Sequence, residues 1–172
     1  MELGLFLIHA TVGVLLAGHG AQKLFGWFGG HGIEGTGGFF EGLQLRPGRH
    51  MALAAGASEF FGGALLALGL ATPLAALVIA STMLVASSTA HAGKGPWASN
   101  GGWELPLTCA IVAIGLAFNG AGQWSLDNAI GWDVAGLWWG LGASVLAVLG
   151  AIGVVTVGRH GFGRDPYGVS AR

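Results

Sequence analysis

Residues 3–24 read LGLFLIHATVGVLLAGHGAQKL, an apolar run in which the first fully charged side chain is Lys23. A hydrocarbon core of about 30 Å is crossed by roughly 20 apolar helical residues, so this stretch has the length of one crossing. Four further runs follow, at about Met51–Leu70, Pro73–Ala90, Trp103–Phe118 and Val134–Val157. The third begins behind an Ala71-Thr72-Pro73 hinge, where proline suits the first helical position. The fourth is the shortest, and the fifth is long enough to tilt. With a mean hydropathy of +0.67 and 9% charged residues, the chain lacks the polar surface to coat a water-soluble globule. The expectation is an all-α membrane protein: a five-transmembrane-helix bundle with the lipid bilayer as its solvent, multi-pass in the cell membrane. A cleaved leader would carry a basic segment ahead of its apolar run. The chain starts Met1-Glu2-Leu3, so the first helix is expected to be retained.

The basic residues test the helix count. With five crossings, the loop 25–50, the loop 92–102 and the tail share one side, opposite the N-terminus. Arg46, Arg49, Lys94, Arg159, Arg164 and Arg172 all fall there, with Lys23 at the adjoining helix end. Basic excess marks the cytoplasmic face, which puts the N-terminus outside and the C-terminus inside. The organisation is then a four-helix core over 1–133 with a Gly/aromatic loop at 25–50, a fifth transmembrane helix at 134–158 and a basic cytoplasmic tail at 159–172. A net charge of −1 gives no case for nucleic acid. The single cysteine, Cys109, excludes a Cys-x-x-Cys relay, a haem-attachment motif and an intrachain disulfide.

Ionisable residues inside a bilayer cost a few kcal/mol each by insertion scales unless they face protein or water, so their positions are informative. His19, Gln22 and Lys23 end the first helix, Glu59 lies two turns into the second, His91 ends the third and Glu104 starts the fourth. Alternating helix direction brings all of them to the cytoplasmic end. At about 100° per residue, His9, Gly13, Gly20 and Lys23 share a narrow face, and Gly56, Glu59 and Gly63 form a stripe that lets a neighbouring helix approach closely. Glu104, Thr108 and Gly115 form a similar stripe, and Ser87, Ser88 and His91 crowd the end of the third helix. The expectation is one polar pocket where four helices converge. Structural readings compete at each position: Lys23 as a snorkelling cation, His19 and His91 as boundary residues, Glu104 as a helix-start charge. Glu59 must pair with a cation such as Lys23 or give up its charge. His9, deeper and without an evident partner, reads as a packing or hydrogen-bonding residue.

The loop from Gly26 to Pro47 mixes glycines with aromatics and reads as an interfacial or re-entrant lid. Trp27, Phe28, Phe39 and Phe40, with Trp97 and Trp103, form an interfacial belt that anchors the protein or stacks on a planar ligand. The glycines lack the Gly-Lys-Ser/Thr element of a phosphate loop. Gly136, Gly140 and Ser144 recur at four-residue intervals on the fifth helix and read as a packing seam, with a second subunit as one candidate partner.

Three motifs then stand in order: Gly-His-Gly-Ala-Gln-Lys-Leu-Phe-Gly closing the first helix, Ser-Glu-Phe-Phe-Gly-Gly-Ala-Leu-Leu-Ala-Leu-Gly-Leu-Ala-Thr-Pro across the second and third, and Asn-Gly-Gly-Trp-Glu-Leu with a later Gly-Gln-Trp-Ser-Leu-Asp. Over Leu3–Asp133 the chain resembles the DoxX family of small bacterial membrane proteins, and Lys23, Glu59 and Glu104 are motif residues. The family is similar to subunits associated with thiosulfate:quinone oxidoreductase and terminal quinol oxidase, which implies a redox role near the quinone pool. The usual pattern is four helices, so the fifth helix and the basic tail are departures.

A quinone site requires an apolar slot open to lipid, donors for two carbonyls and a protonatable group linked to water. The expected assignment has His19 or Lys23 donating to one carbonyl and His91 to the other. Glu59 and Glu104 act catalytically by passing protons, and Trp27, Phe39 and Trp97 cover the ring. No metal site is expected; two histidines alone are a weak haem signal. Electrons would come from redox-enzyme subunits or a soluble reductant. The competing readings are a non-catalytic scaffold for a redox enzyme, with the buried charges as interhelical glue, and a small proton-coupled transporter centred on Glu59.

Overall fold

The computed structural model describes residues 2–132 and 134–161, and every described element is helical. The helices are α1 (Glu2–Phe25), α2 (Gly32–Gly42), α3 (Gly48–Leu68), α4 (Thr72–Ser88), α5 (Glu104–Asn119), the single turn α6 (Leu126–Ala129) and α7 (Leu137–Thr156), which runs on into a π-helical turn, Val157–Gly161. Asp133 and the tail 162–172, with Arg164 and Arg172, lie outside the described residues.

The chain is a membrane protein by its pattern of burial. Its core is built from small side chains, among them Ala75, Ala76, Ala80, Ala113, Ala117 and Ala147, each at most 1% exposed. Large apolar side chains point outward instead: Val14, Leu15, Ile111 and Trp138 are all more than half exposed. Lipid is as apolar as leucine, so helices in a bilayer gain little by burying large side chains and associate where small ones allow close contact. Three helices, α1, α3 and α7 with its extension to His160, are long and apolar enough to cross a bilayer. The 17 residues of α4 and 16 of α5 are apolar but shorter.

α1 and α3 form the closest pair. A Cβ on Gly13 would meet the backbone of Ala67, one on Gly20 the backbone of Phe60, and one on Gly63 the backbone of Ala17, so the expected glycine faces are the interface. His9, 1% exposed, spans the same interface by donating from Nδ1 to the carbonyls of Leu66 (3.0 Å) and Ala67 (3.2 Å).

At the opposite end from Lys23, the hinge between α3 and α4 is held by Asp127 at the end of the Ser-Leu-Asp motif. Its buried carboxylate accepts from Ala71 N (2.7 Å), Thr72 N (2.9 Å) and Thr72 Oγ1 (2.6 Å). Ala71 sits at φ 48°, a left-handed conformation that costs a residue with a Cβ roughly 1–2 kcal/mol. The carboxylate both fills the unsatisfied donors at the start of α4 and fixes that conformation.

The segment expected as an irregular lid is largely helical. Trp27–Gly29 is a 3-10 turn, and Gly32–Gly42 forms α2 despite glycines that each cost about 1 kcal/mol in a helix interior. Tertiary packing overrides propensity: Thr36 and Gly37 are buried, and a Cβ on Gly37 would crowd Arg49 and Gly48 at the start of α3. α7 packs along its small-residue seam. Gly140 packs on the Phe118 ring of α5, Gly136 N donates to Phe118 O (2.8 Å), and Ala143, Ala147 and Ala151 are buried against the bundle. The seam read as a candidate subunit contact is used within the chain, and Ala143 and Ala147 belong to the same core as α4 and α5.

Candidate functional site

α3 and α7 both pack on α4 but make little contact with each other. Between them runs a slot of about 1190 Å³, floored by α4 (Leu77, Val78, Ser81, Thr82, Val85) and walled by α3 (Met51, Ala54, Ala55, Ser58) and α7 (Leu146, Leu149, Gly150, Gly153, Val154, Val157). At one end Arg46 N donates to Gly158 O (2.9 Å), tying the α2–α3 connector to the end of α7, and Phe39 and Phe40 of α2 also line the slot.

Polar residues line the slot along its length, from His50 and His91 near that end to Glu59, nine residues beyond His50 on α3. Lys23 of α1 forms an ion pair and hydrogen bond with Glu59 Oε2 of α3, with Glu59 3% and Lys23 25% exposed. Both line the slot, together with His91 and Phe39. A buried carboxylate needs such a partner, and Gly56, which brings α3 against Leu24 and Lys23, lets the lysine reach it. His91 Nδ1 lies 2.7 Å from Gly101 O. A carbonyl only accepts, so the proton is on Nδ1, and Nε2 is the free ring nitrogen. Neutral His91 therefore accepts at Nε2, and donates there only as imidazolium.

Four of the residues expected at the site lie elsewhere. His19 is exposed and lies 3.0 Å from Gln22 Oε1 on its own helix, while Gln22 donates to Phe28 O (3.2 Å) and so holds the turn after α1. Glu104 Oε1 accepts from Ala98 N (2.8 Å), folding the α4–α5 connector onto the start of α5. The Glu104 stripe thus does not converge on the slot; Thr108 is exposed, and a Cβ on Gly115 would meet nothing. Trp27 (55% exposed) stacks on Phe25, and Trp97 (64% exposed) stands outside the slot. Both are placed as surface aromatics. Ser87 and Ser88 return their hydroxyls to the carbonyls of Met83 and Leu84.

Sequence reasoning missed the slot-lining Ser58, Ser81, His50 and Lys94. Ser58 adjoins Glu59, and Lys94 entered only as a topology marker. Their common site exists because α3 and α7 diverge over α4, which no local pattern encodes. Among the described residues, no group of three or more His, Cys, Asp or Glu side chains is placed to hold a metal ion.

The comparisons with known proteins agree with the motifs. The DoxX family model matches residues 4–92. The chain is 31% identical over 126 residues to a Bacillus subtilis (strain 168) protein named "Putative oxidoreductase CatD", covering 73% of this chain and 86% of that relative. It is 41% identical over 106 residues to an uncharacterized protein of Haemophilus influenzae (strain ATCC 51907 / DSM 11121 / KW20 / Rd), covering 56% of this chain and 78% of that one. No solved structure matches the chain. With the family model spanning more than half of the chain and Lys23 and Glu59 of its motifs joined across α1 and α3, the chain belongs to the DoxX family.

Proposed function

We propose that this protein crosses the cell membrane five times, N-terminus outside and C-terminus cytoplasmic, and serves a redox enzyme system by holding a quinone in the slot between α3 and α7. The observation that carries the reading is the slot itself: a large, mostly apolar cleft with the Lys23–Glu59 pair in its lining and His91 at the end where Arg46 meets Gly158. The alternation of α1, α3, α4, α5 and α7 gathers the basic connectors at that end, which supports five crossings with that end cytoplasmic.

A bound quinone supplies two-electron chemistry coupled to uptake of two protons. The chain's own residues account for binding and proton handling. Lys23 has N–H groups beyond the one given to Glu59, and these suit a carbonyl acceptor. His91, its ring fixed by Gly101 O, moves a proton at Nε2, and Glu59 relays one at its carboxylate. Phe39 and Phe40 line the slot and offer aromatic faces to a bound ring. Electrons come from a partner enzyme or a soluble reductant, in keeping with a relative named as an oxidoreductase.

The test is quinone-dependent turnover in the native membrane with Glu59→Gln, which keeps the shape of the side chain and removes its proton. Turnover falling at least tenfold while the protein remains folded supports the reading; unchanged turnover rejects it. The second reading, a scaffold stabilising a redox enzyme, is favoured by the same ion pair acting as glue between α1 and α3. In that case Glu59→Gln lowers the amount of assembled partner enzyme and leaves its turnover per molecule intact.

A further inference from the structure

The slot carries a second feature, of which the quinone reading uses only His91. Beyond Lys23, which is committed to Glu59, its lining includes three basic side chains, His50, His91 and Lys94, and no acidic one besides Glu59. Lys94 extends beside Gly101, its Nζ lying 3.8 Å from where a Cβ on that glycine would stand. Gly101 is also the residue whose carbonyl fixes His91, so Lys94 and His91 share one corner of the mouth. His50 comes from the first turn of α3, on the opposite wall. Neighbouring Arg49 is paired with Glu34 through Nε (2.9 Å) and Glu41 accepts from Gly48 N (3.3 Å), and neither acid lines the slot.

The dimensions match a lipid. Along α7 the slot runs from Leu146 to Val157, roughly 16 Å at 1.5 Å per residue. One leaflet is half of a hydrocarbon core of about 30 Å, or about 15 Å. An apolar cleft one leaflet deep, with His50, His91 and Lys94 at one end, has the form of a site for a single membrane amphiphile, since basic pockets between helices on the cytoplasmic side bind acidic head groups.

We propose that the mouth formed by His50, His91 and Lys94 binds the anionic head of a phospholipid-like amphiphile whose chain lies in the α3–α7 slot. The site rests on the slot and not on the redox reading, and the amphiphile and a quinone compete for the same space. The site stands if the protein turns over no quinone.

The full chain, purified in a neutral detergent, is titrated with phosphatidylglycerol, with phosphatidylcholine of the same chains and with inorganic phosphate, and binding is read from the rise in unfolding temperature. Phosphatidylglycerol is expected to bind more tightly than phosphatidylcholine, by about fivefold for each basic group engaged. Inorganic phosphate is expected to have little effect. His50→Gln with Lys94→Gln changes exposed side chains, so the variant should fold and keep its response to phosphatidylcholine while losing the preference for phosphatidylglycerol. Equal binding of the two lipids overturns the proposal, as does a preference that survives the double substitution. Phosphate alone reproducing the stabilisation identifies a soluble anion site and overturns the amphiphile. Quinone turnover in the same preparation reports separately on the redox reading.

Discussion

Breaking the Lys23–Glu59 pair from either side should have unequal costs, because the two partners differ in their access to solvent. Lys23→Met strands Glu59, which is 3% exposed and lies between helices, whereas Glu59→Gln strands Lys23, which is 25% exposed at the end of α1. An uncompensated buried charge costs about 3–5 kcal/mol, and the lysine variant should fall in that range. A stranded lysine near a helix end can swing its ammonium toward the headgroups, so Glu59→Gln should cost only about 1–2 kcal/mol. The double variant removes both charges and should recover most of the loss from Lys23→Met, giving a coupling of about 2 kcal/mol or more. Equilibrium unfolding in mixed micelles of a neutral detergent and dodecyl sulfate, run on the four proteins, yields the cycle. Equal losses for the two single variants, or a double variant at the sum of both, would refute the pair as the organising contact between α1 and α3.

Asp127→Ala removes three hydrogen bonds at the α3–α4 hinge and leaves Ala71 N and Thr72 N without their acceptor. A loss of about 3–5 kcal/mol is expected in the same unfolding assay, with a smaller loss for Asp127→Asn, which keeps one acceptor oxygen. Gly63→Val should prevent α1 from seating on α3 and abolish accumulation of folded protein, whereas Gly142→Ala and Gly153→Ala, where a Cβ meets nothing, should be tolerated. Fluorescence-detected size-exclusion chromatography of tagged variants separates these outcomes. Gly140→Val drives a side chain into Phe118 and should release α7, which a protease-accessibility assay would detect as cleavage near residues 130–136.

Much of the bundle was legible in the sequence because the bilayer imposes a length and a burial rule on every helix. The apolar runs predicted α1, α3, α4, α5 and α7 to within a few residues, and the spacing of Gly13, Gly20, Gly56 and Gly63 marked the α1–α3 contact. Of the residues grouped by depth, Lys23, Glu59 and His91 line one slot. Depth alone does not fix direction around a helix, and for that reason Glu104 and His19 were drawn into the pocket although each is satisfied by its own connector or helix. α2 was hidden because its glycines argue against a helix that only packing on α3 sustains. The role of Asp127 was hidden because its partners are more than fifty residues away in the chain, at Ala71 and Thr72. The slot depends on three helices, one of which lies beyond the region matched by the family model.

Uptake of a quinone by the α3–α7 slot is measured by equilibrium binding of a quinone to the purified protein and to Ala54→Trp, which puts an indole into the slot from an exposed position on its α3 wall. Saturable binding of one quinone per chain is expected, with its loss in Ala54→Trp and the melting of the variant unchanged. No saturable binding to the wild-type chain, or equal binding to the variant, would contradict it.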